Sequence, residues 1–403
     1  MLGFVVSNIP KLRFSEFNGE WESKYLNEVS KINPKTKELP YEFVYIDLES
    51  VKKGLLVKSN RILKIEAPSR AQRLLSIDDI LFQTVRPYQK NNYFFNITGD
   101  YVASTGYAQI RANESASFLY QKFHTQKFVN KVLLRCTGTS YPAINSTDLS
   151  KVKISIPEKQ EQEKIASFLT SVDTKIEQLT KKESLLQEYK KGVMQKIFNQ
   201  EIRFKDNEGS EFCDWEEKSF GEVFKRITTK NKEDNQNILT ISAQQGLINQ
   251  EKYFNKSVSA KDVTGYYILK NGDFAYNKSY SKGYPMGAIK KLNNYDKGVV
   301  STLYICFRTN IENDSNFYEK YFDSGFLNRE LHKIAQEGAR NHGLLNMSVV
   351  EFFSDIKIPV PSIEEQIKIA NFLSSIDKKI ENAKDEVEKT KQFNKALLQQ
   401  MFV

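Results

Sequence analysis

Two short stretches hold the side chains best suited to chemistry. Thr84-Val85-Arg86-Pro87-Tyr88-Gln89-Lys90-Asn91-Asn92 and Asn277-Lys278-Ser279-Tyr280-Ser281-Lys282-Gly283-Tyr284 both mix cations, amides and aromatic rings in turn-forming sequence. Two glycine turns, GTSYPAIN (138–145) and GARNHGLLN (338–346), add Thr139, Ser140 and Tyr141, then Arg340, Asn341 and His342. Lys and Arg neutralise phosphates, Arg grips guanine through two bonds, and Asn or Gln does the same with adenine. Taken singly, each stretch reads as a polar surface loop. Recurrence at matching places in two halves of the chain favours nucleic-acid contact. The candidate contact residues are therefore Arg86, Tyr88, Lys90, Asn91, Asn92, Thr139 and Tyr141 in the first half. In the second they are Lys278, Tyr280, Lys282, Tyr284, Arg340, Asn341 and His342.

Catalytic signatures are missing. No Gly precedes a Lys and no Gly-x-Gly occurs, which removes the phosphate-cradling loop and the usual dinucleotide or methyl-donor fingerprint. The Asn-Pro-Pro-aromatic run of adenine methylation is absent, and no proline precedes an aspartate. His124, His332 and His342 show no ligand spacing, and Cys136, Cys213 and Cys306 are unclustered, so neither a metal site nor a disulfide framework is expected. A nuclease or methyltransferase with unfamiliar motifs is the reading that these absences disfavour.

The elements that must position the turns come from an internal repeat. Ile156–Phe198 reads IPEKQEQEKIASFLTSVDTKIEQLTKKESLLQEYKKGVMQKIF, and Val360–Phe402 repeats it at an offset of 204 without a gap. Ile165, Leu169, Val172, Ile176 and Leu179 form an apolar stripe that resumes at Leu186, Val193 and Ile197; Ile369, Leu373, Ile376, Ile380, Ala383, Val387, Leu397 and Met401 keep the same frame. Steps of three and four predict a coiled-coil face. Glu183 and Lys190 interrupt the first stripe, Thr390 and Asn394 the second. Each helix follows a proline and opens with acids (Glu158, Glu161; Glu364, Glu365), which suits the positive end of a helix. Roughly 40 residues make a rod of about 60 Å. A homodimer zipper would need only one copy; two matched copies favour antiparallel pairing within the chain.

Ahead of each helix lies a Tyr- and Phe-rich globular segment with shared signposts. These are Arg13-Phe14, Trp21-Glu22 and Asn27-Glu28-Val29 against Arg203-Phe204, Trp215-Glu216 and Gly221-Glu222-Val223. Short strands such as Phe43–Ile46 and Ile238–Ile241 follow, then a Ser-Thr strand in each half, YVASTGYAQIR (101–111) and VVSTLYICFR (299–308). The expected organisation is 1–157 globular, 158–200 helix, 201–361 globular, 362–403 helix: an α+β fold with two mixed domains, two long antiparallel helices and a pseudo-twofold repeat. Of the net +9, residues 1–157 hold 22 Lys+Arg against 14 Asp+Glu, whereas 201–361 balance at 22 against 22. That surplus suggests a polyanion partner for the first half. No apolar run of 18 residues exists and the N-terminus lacks a signal-peptide layout, so the expected location is the cytoplasm, with no membrane contact.

The order of parts, the openings LRFSEFNGEWESKYLNEV and RFKDNEGSEFCDWEEKSFGEV, and the helix starts IPEKQEQEKIASFL and VPSIEEQIKIANFL resemble the specificity subunit of type I restriction–modification systems. The resemblance covers essentially the whole chain and is most specific at the helix starts. It implies two target-recognition domains, each reading half of a split DNA sequence, and paired helices that fix the unread spacer. As partners it implies double-stranded DNA, two modification (methyltransferase) subunits using S-adenosylmethionine, and restriction/translocase subunits using ATP and Mg. It implies no catalytic residue, metal or cofactor in this chain itself. The neutral second domain departs from the pattern, so its contacts must come from local clusters such as Lys278 and Lys282. A stand-alone tandem DNA-binding regulator is the alternative that the residues leave open.

Overall fold

The computed structural model describes residues 8–254, 262–281, 283–335 and 345–403. Two compact units emerge, one from residues 1–181 with 384–403 and one from 182–383.

In the first unit, Glu22–Tyr25 runs antiparallel to Lys153–Ile156, so the globular part opens and closes on one strand pair. Its central sheet orders Ser30–Ile32, Tyr107–Ala112, Asp79–Gln83 and Tyr93–Phe95, all antiparallel. Successive side chains on a strand face opposite ways. Ile80 and Phe82 accordingly enter the core shared with helices Ala116–Phe123 and Gln126–Leu133, while Leu81 enters a second core on the other face. A further sheet, Arg61–Leu63, Glu42–Ile46, Tyr101–Ser104 and Ala71–Leu74 in that order, contains one parallel pair.

The sequence predicts one strand over 101–111. The structure breaks it at Thr105-Gly106, and the two pieces join different sheets. Gly106 permits the crossing by closeness, because a Cβ there would lie 3.1 Å from Leu48 Cγ. The second unit repeats the break, with Lys297–Val300 and Ile305–Thr309 in separate sheets.

The second unit also repeats the closing pair (Glu216–Ser219 with Lys357–Val360) and the central sheet, ordered Phe224–Arg226, Ile305–Thr309, Phe274–Asn277, Ala288–Lys291. Among the described residues its outer sheet is reduced to two separate antiparallel pairs, Leu239–Ser242 with Gly246–Asn249 and Tyr267–Lys270 with Lys297–Val300, and the parallel pairing survives as the bridge Ile238–Val299.

The long helices are Lys159–Phe198 and Ile363–Gln400. Within the first unit, Ile165, Leu169 and Val172 from the start of one share a core with Leu397, Met401 and Phe402 from the end of the other. Within the second, Met194, Ile197 and Phe198 meet Ile369, Leu373 and Ile376. The helices thus pair antiparallel inside the chain, as the doubled stripe predicts.

A buried glutamate fastens each opening segment to its helix. Arg13 donates twice to Glu161, at 2.8 and 2.7 Å, and the Trp21 indole donates to the same carboxylate at 3.3 Å. Arg203 grips Glu365 at 2.9 and 3.0 Å, with Trp215 at 2.9 Å. Both glutamates are fully buried, so this fork-to-fork geometry and the indole bond are what make their burial tolerable. The polar interruptions of the stripes have partners too. Lys190 and Lys320 bind Asp377 at 2.5 and 2.8 Å, while Asn394 and Gln121 donate to Asp173 at 2.7 and 2.6 Å.

Candidate nucleic-acid interface

The two turns singled out in the first half are held together by backbone bonds. The Ile144 amide donates to the Thr84 carbonyl at 3.0 Å, and the Arg86 amide to the Pro142 carbonyl at 2.7 Å. Arg86 and Lys90 both take the left-handed conformation, at φ 54° and 53°, on either side of the short helical turn Pro87–Gln89. Such strain at non-glycine residues costs on the order of 1 kcal/mol each and persists only where surrounding bonds over-determine it. The guanidinium of Arg86 lies 4.1 Å above the Tyr141 ring. Its face is covered, while among the described residues no acceptor bonds its N–H groups. Tyr88, Thr139 and Tyr141 are exposed beside it.

The remaining candidates of this half turn inward. Asn91 accepts from the Lys53 amide at 2.7 Å and donates to the Val51 carbonyl at 2.6 Å. Asn92 is 1 % exposed and accepts from the Gln83 amide. Lys90 donates to the His124 carbonyl at 2.9 Å; burial, then the charge of Lys395, pulls its pKa below the ordinary lysine value. These three bind the turn to its scaffold.

In the second unit the Leu345 amide donates to the Lys278 carbonyl at 3.0 Å, the counterpart of the Ile144–Thr84 bond. Counting on two residues from each carbonyl brings Arg86 in one unit and Tyr280, 59 % exposed, in the other. Gly287 makes this turn possible: at φ 77° it sits where any Cβ would collide with the Asn277 carbonyl. Tyr284 is a framework residue, its hydroxyl accepting from Lys290 at 3.2 Å and its ring packed on a buried cluster. Burial opposes the charge of Lys290, yet Asp323 and the Tyr284 hydroxyl raise its pKa. Lys282, Arg340, Asn341 and His342 lie outside the described residues.

One feature escapes the sequence reading. Helix Gln126–Leu133 packs against the Pro87–Gln89 turn and leads directly into the 138–145 turn. Its inner face is Phe128, Val129 and Val132; its outer face carries Lys127 and Lys131, continued by Arg135, all exposed. Cations at i, i+4 and i+8 with no acid between them are the signal that marks this face in the sequence. Just before it, Lys122 is buried against the rings of Trp21 and Phe402, at 5.3 and 5.4 Å. Burial first, then Lys131 and Lys127, push its pKa down to about 7.

Among the described residues no group of three His, Cys, Asp or Glu could hold a metal ion, and no helix is long and apolar enough to cross a membrane. The chain holds two sheet-and-helix units, each closed by one antiparallel strand pair that leads into a long helix. The profile of the type I restriction modification DNA specificity domain matches residues 18–187 and again 213–390, and the chain belongs to that family.

Among curated relatives, the Methanocaldococcus jannaschii protein designated MjaX, a type I restriction enzyme specificity subunit by name, is 24 % identical over 95 % of this chain and 94 % of its own. The MjaVIII specificity subunit of the same organism is 28 % identical over 63 % of each chain. Among solved structures, the type I restriction–modification S subunit of M. genitalium superposes with a TM-score of 0.57 at 16 % identity, covering 98 % of this chain and 99 % of that one. A chain from a type I system studied for complex assembly and conformational transition gives 0.52 at 21 %, covering 95 % and 97 %. At these identities the structures support the fold alone.

Proposed function

We propose that this chain is the non-catalytic DNA-reading subunit of a type I complex, with residues 1–157 and 201–361 as the recognition domains, working in the cytoplasm. Each domain reads one half of a split target in duplex DNA. Helix faces turned away from the shared stripe seat two modification subunits, which use S-adenosylmethionine. Restriction subunits using ATP and Mg complete the assembly. The observation that carries this reading is the paired-turn platform: the same carbonyl-to-amide bond builds it in both units, yet it presents Arg86 in one and Tyr280 in the other. A common frame with different exposed chemistry suits two readers of different sequence. Covered on its face by Tyr141, the Arg86 guanidinium keeps its fork free for a bidentate acceptor pair such as the guanine edge.

Mapping modified adenines in cells carrying the chain and its partners tests this. Wild type should yield one bipartite motif. Arg86→Ala should relax one half-site only, by the about 1–3 kcal/mol of a lost base contact. A specific nanomolar complex of the purified chain alone with DNA would overturn the scaffold reading and favour the stand-alone regulator.

A further inference from the structure

The cations on the outer face of helix Gln126–Leu133 are bonded to carbonyl oxygens, so their charge is not neutralised there. Lys127 stands in the first turn, where the helix dipole disfavours a cation and no acid compensates. Lys131 donates to the Lys153 carbonyl at 3.0 Å and Arg135 to the Lys131 carbonyl at 3.0 Å, so neutral oxygens are their partners. Among the described residues Lys127 reaches only the Phe402 carbonyl, at 3.4 Å, and none of the three pairs with a carboxylate. Burial lowers the pKa of Lys131, and the neighbouring Arg135 and Lys127 lower it further. Like charges along one face cost stability that a stable fold has no reason to bear, unless an anion relieves it.

The position of the face decides which anion. The helix abuts the Pro87–Gln89 turn and delivers the chain into the turn whose Tyr141 stacks on Arg86, so one short segment carries both the cations and the stacking ring. Duplex readers flank base-contacting side chains with phosphate contacts that fix register without reading sequence. Phe128, Val129 and Val132 anchor the opposite face, which keeps the row rigid. In the second unit, helix Asn328–Ile334 carries Glu330, which takes Lys333 at 2.6 Å, so Arg329 stands outside that pair and no row of cations forms. The contrast agrees with a surplus confined to residues 1–157.

We infer that Lys127, Lys131 and Arg135 form a backbone-phosphate grip, present in the first unit and lacking on the matching helix of the second. This rests on the DNA-reading proposal above and adds a division of labour: the first unit holds the duplex more strongly, independent of sequence.

The test is salt titration of the purified full chain on a duplex of about 30 base pairs. It compares wild type, Lys127→Gln/Lys131→Gln/Arg135→Gln, and the control Arg329→Gln/Lys333→Gln. Each lost phosphate contact removes about 0.9 from the slope of log affinity against log salt. The triple variant should therefore lose about 2.7 from the slope, so that between 50 and 200 mM salt it sheds about 40-fold less affinity than wild type. The control should keep the wild-type slope, and Lys127→Arg/Lys131→Arg should retain the grip. Thermal melting of the triple variant should stay close to wild type, since the repulsion removed offsets the exposed carbonyl bonds lost.

An unchanged slope in the triple variant overturns the grip while leaving the DNA-reading proposal standing. Loss of binding to modification subunits with an unchanged slope would assign the face to an acidic protein surface instead, also against the grip. An altered methylation motif in cells would make these residues base readers. Absence of any bipartite motif in wild type would remove the underlying proposal.

Discussion

Asp173 and Asp377 occupy the same place in the repeat, 204 residues apart, and the chain satisfies them in different ways. Asp377 sits between two ammonium groups, Lys190 and Lys320. Burial opposes its ionisation, but the bonds from those lysines prevail and hold its pKa below the usual carboxylate value. Asp173 receives two amides instead, Asn394 and Gln121. The geometry of the junction between helix start, helix end and globular helix is thus kept while its charge is not. By contrast, the Arg–Glu–Trp clamps at Glu161 and Glu365 are the same in both units. What must hold a segment in one place is duplicated; what only needs a donor pair has drifted.

Breaking a clamp should have the largest effect. Glu161→Ala removes the buried carboxylate from Arg13 and Trp21, leaves Arg13 to the neutral Asn18 and Gly19 carbonyls, and should cost about 3–5 kcal/mol. Glu365→Ala should cost as much, and urea unfolding followed by near-ultraviolet circular dichroism measures both. A marked difference between them would deny that the clamps are equivalent.

The junctions should separate the units more sharply. Asp377→Asn leaves two lysines facing each other and should cost about 2 kcal/mol, the range for bonds to charged groups. Asp173→Asn should cost less than about 1 kcal/mol, because Asn394 Oδ1 has no partner and a flipped amide can accept from the new side chain. The Asp377 contribution should also fade as the pH falls through its depressed pKa, since a carboxylate stabilised in the folded state loses that advantage on protonation. Equal losses at pH 7 would sink the comparison.

Lys122 offers the most pH-dependent test. The matching residue of the second unit is Tyr321, packed on Phe198 where Lys122 meets Phe402. With a folded pKa of about 7 against 10.5, Lys122 binds fewer protons folded than unfolded across that window, so wild-type stability should rise with pH there. Lys122→Tyr should flatten the rise and raise the melting temperature at pH 7. A melting temperature with the same pH dependence in both proteins would show that Lys122 is not charged at a cost.

The long helices were legible because their stripe repeats within one local window, and the doubled copy supplied the partner. Even the interruptions at Lys190 and Asn394 were visible, although not that Asp377 and Asp173 awaited them. The break at Thr105-Gly106 was hidden because it depends on Leu48, more than fifty residues away, and on sheets assembled from distant strands. The turns were found by composition, yet composition could not say which amides face out. Asn91 and Asn92 were spent on the backbone of Val51, Lys53 and Gln83. The basic face is not legible in the turns because its cations are spaced along a helix.

The core of the first unit is finished by residues from the far end of the chain. Leu397, Met401 and Phe402 fill it, and the Leu12 amide is bonded to the Gln400 carbonyl at 3.0 Å. A ribosome that has just released the first long helix must still add roughly 200 residues before those side chains emerge, about 10–40 s at about 5–20 residues per second. For that interval the faces of Trp21 and Phe118 wait uncovered, an exposed aromatic surface on a nascent chain. The earlier of the two units is therefore completed by the later of the two long helices. Until that helix arrives, the nascent chain must keep this aromatic surface from sticking to others.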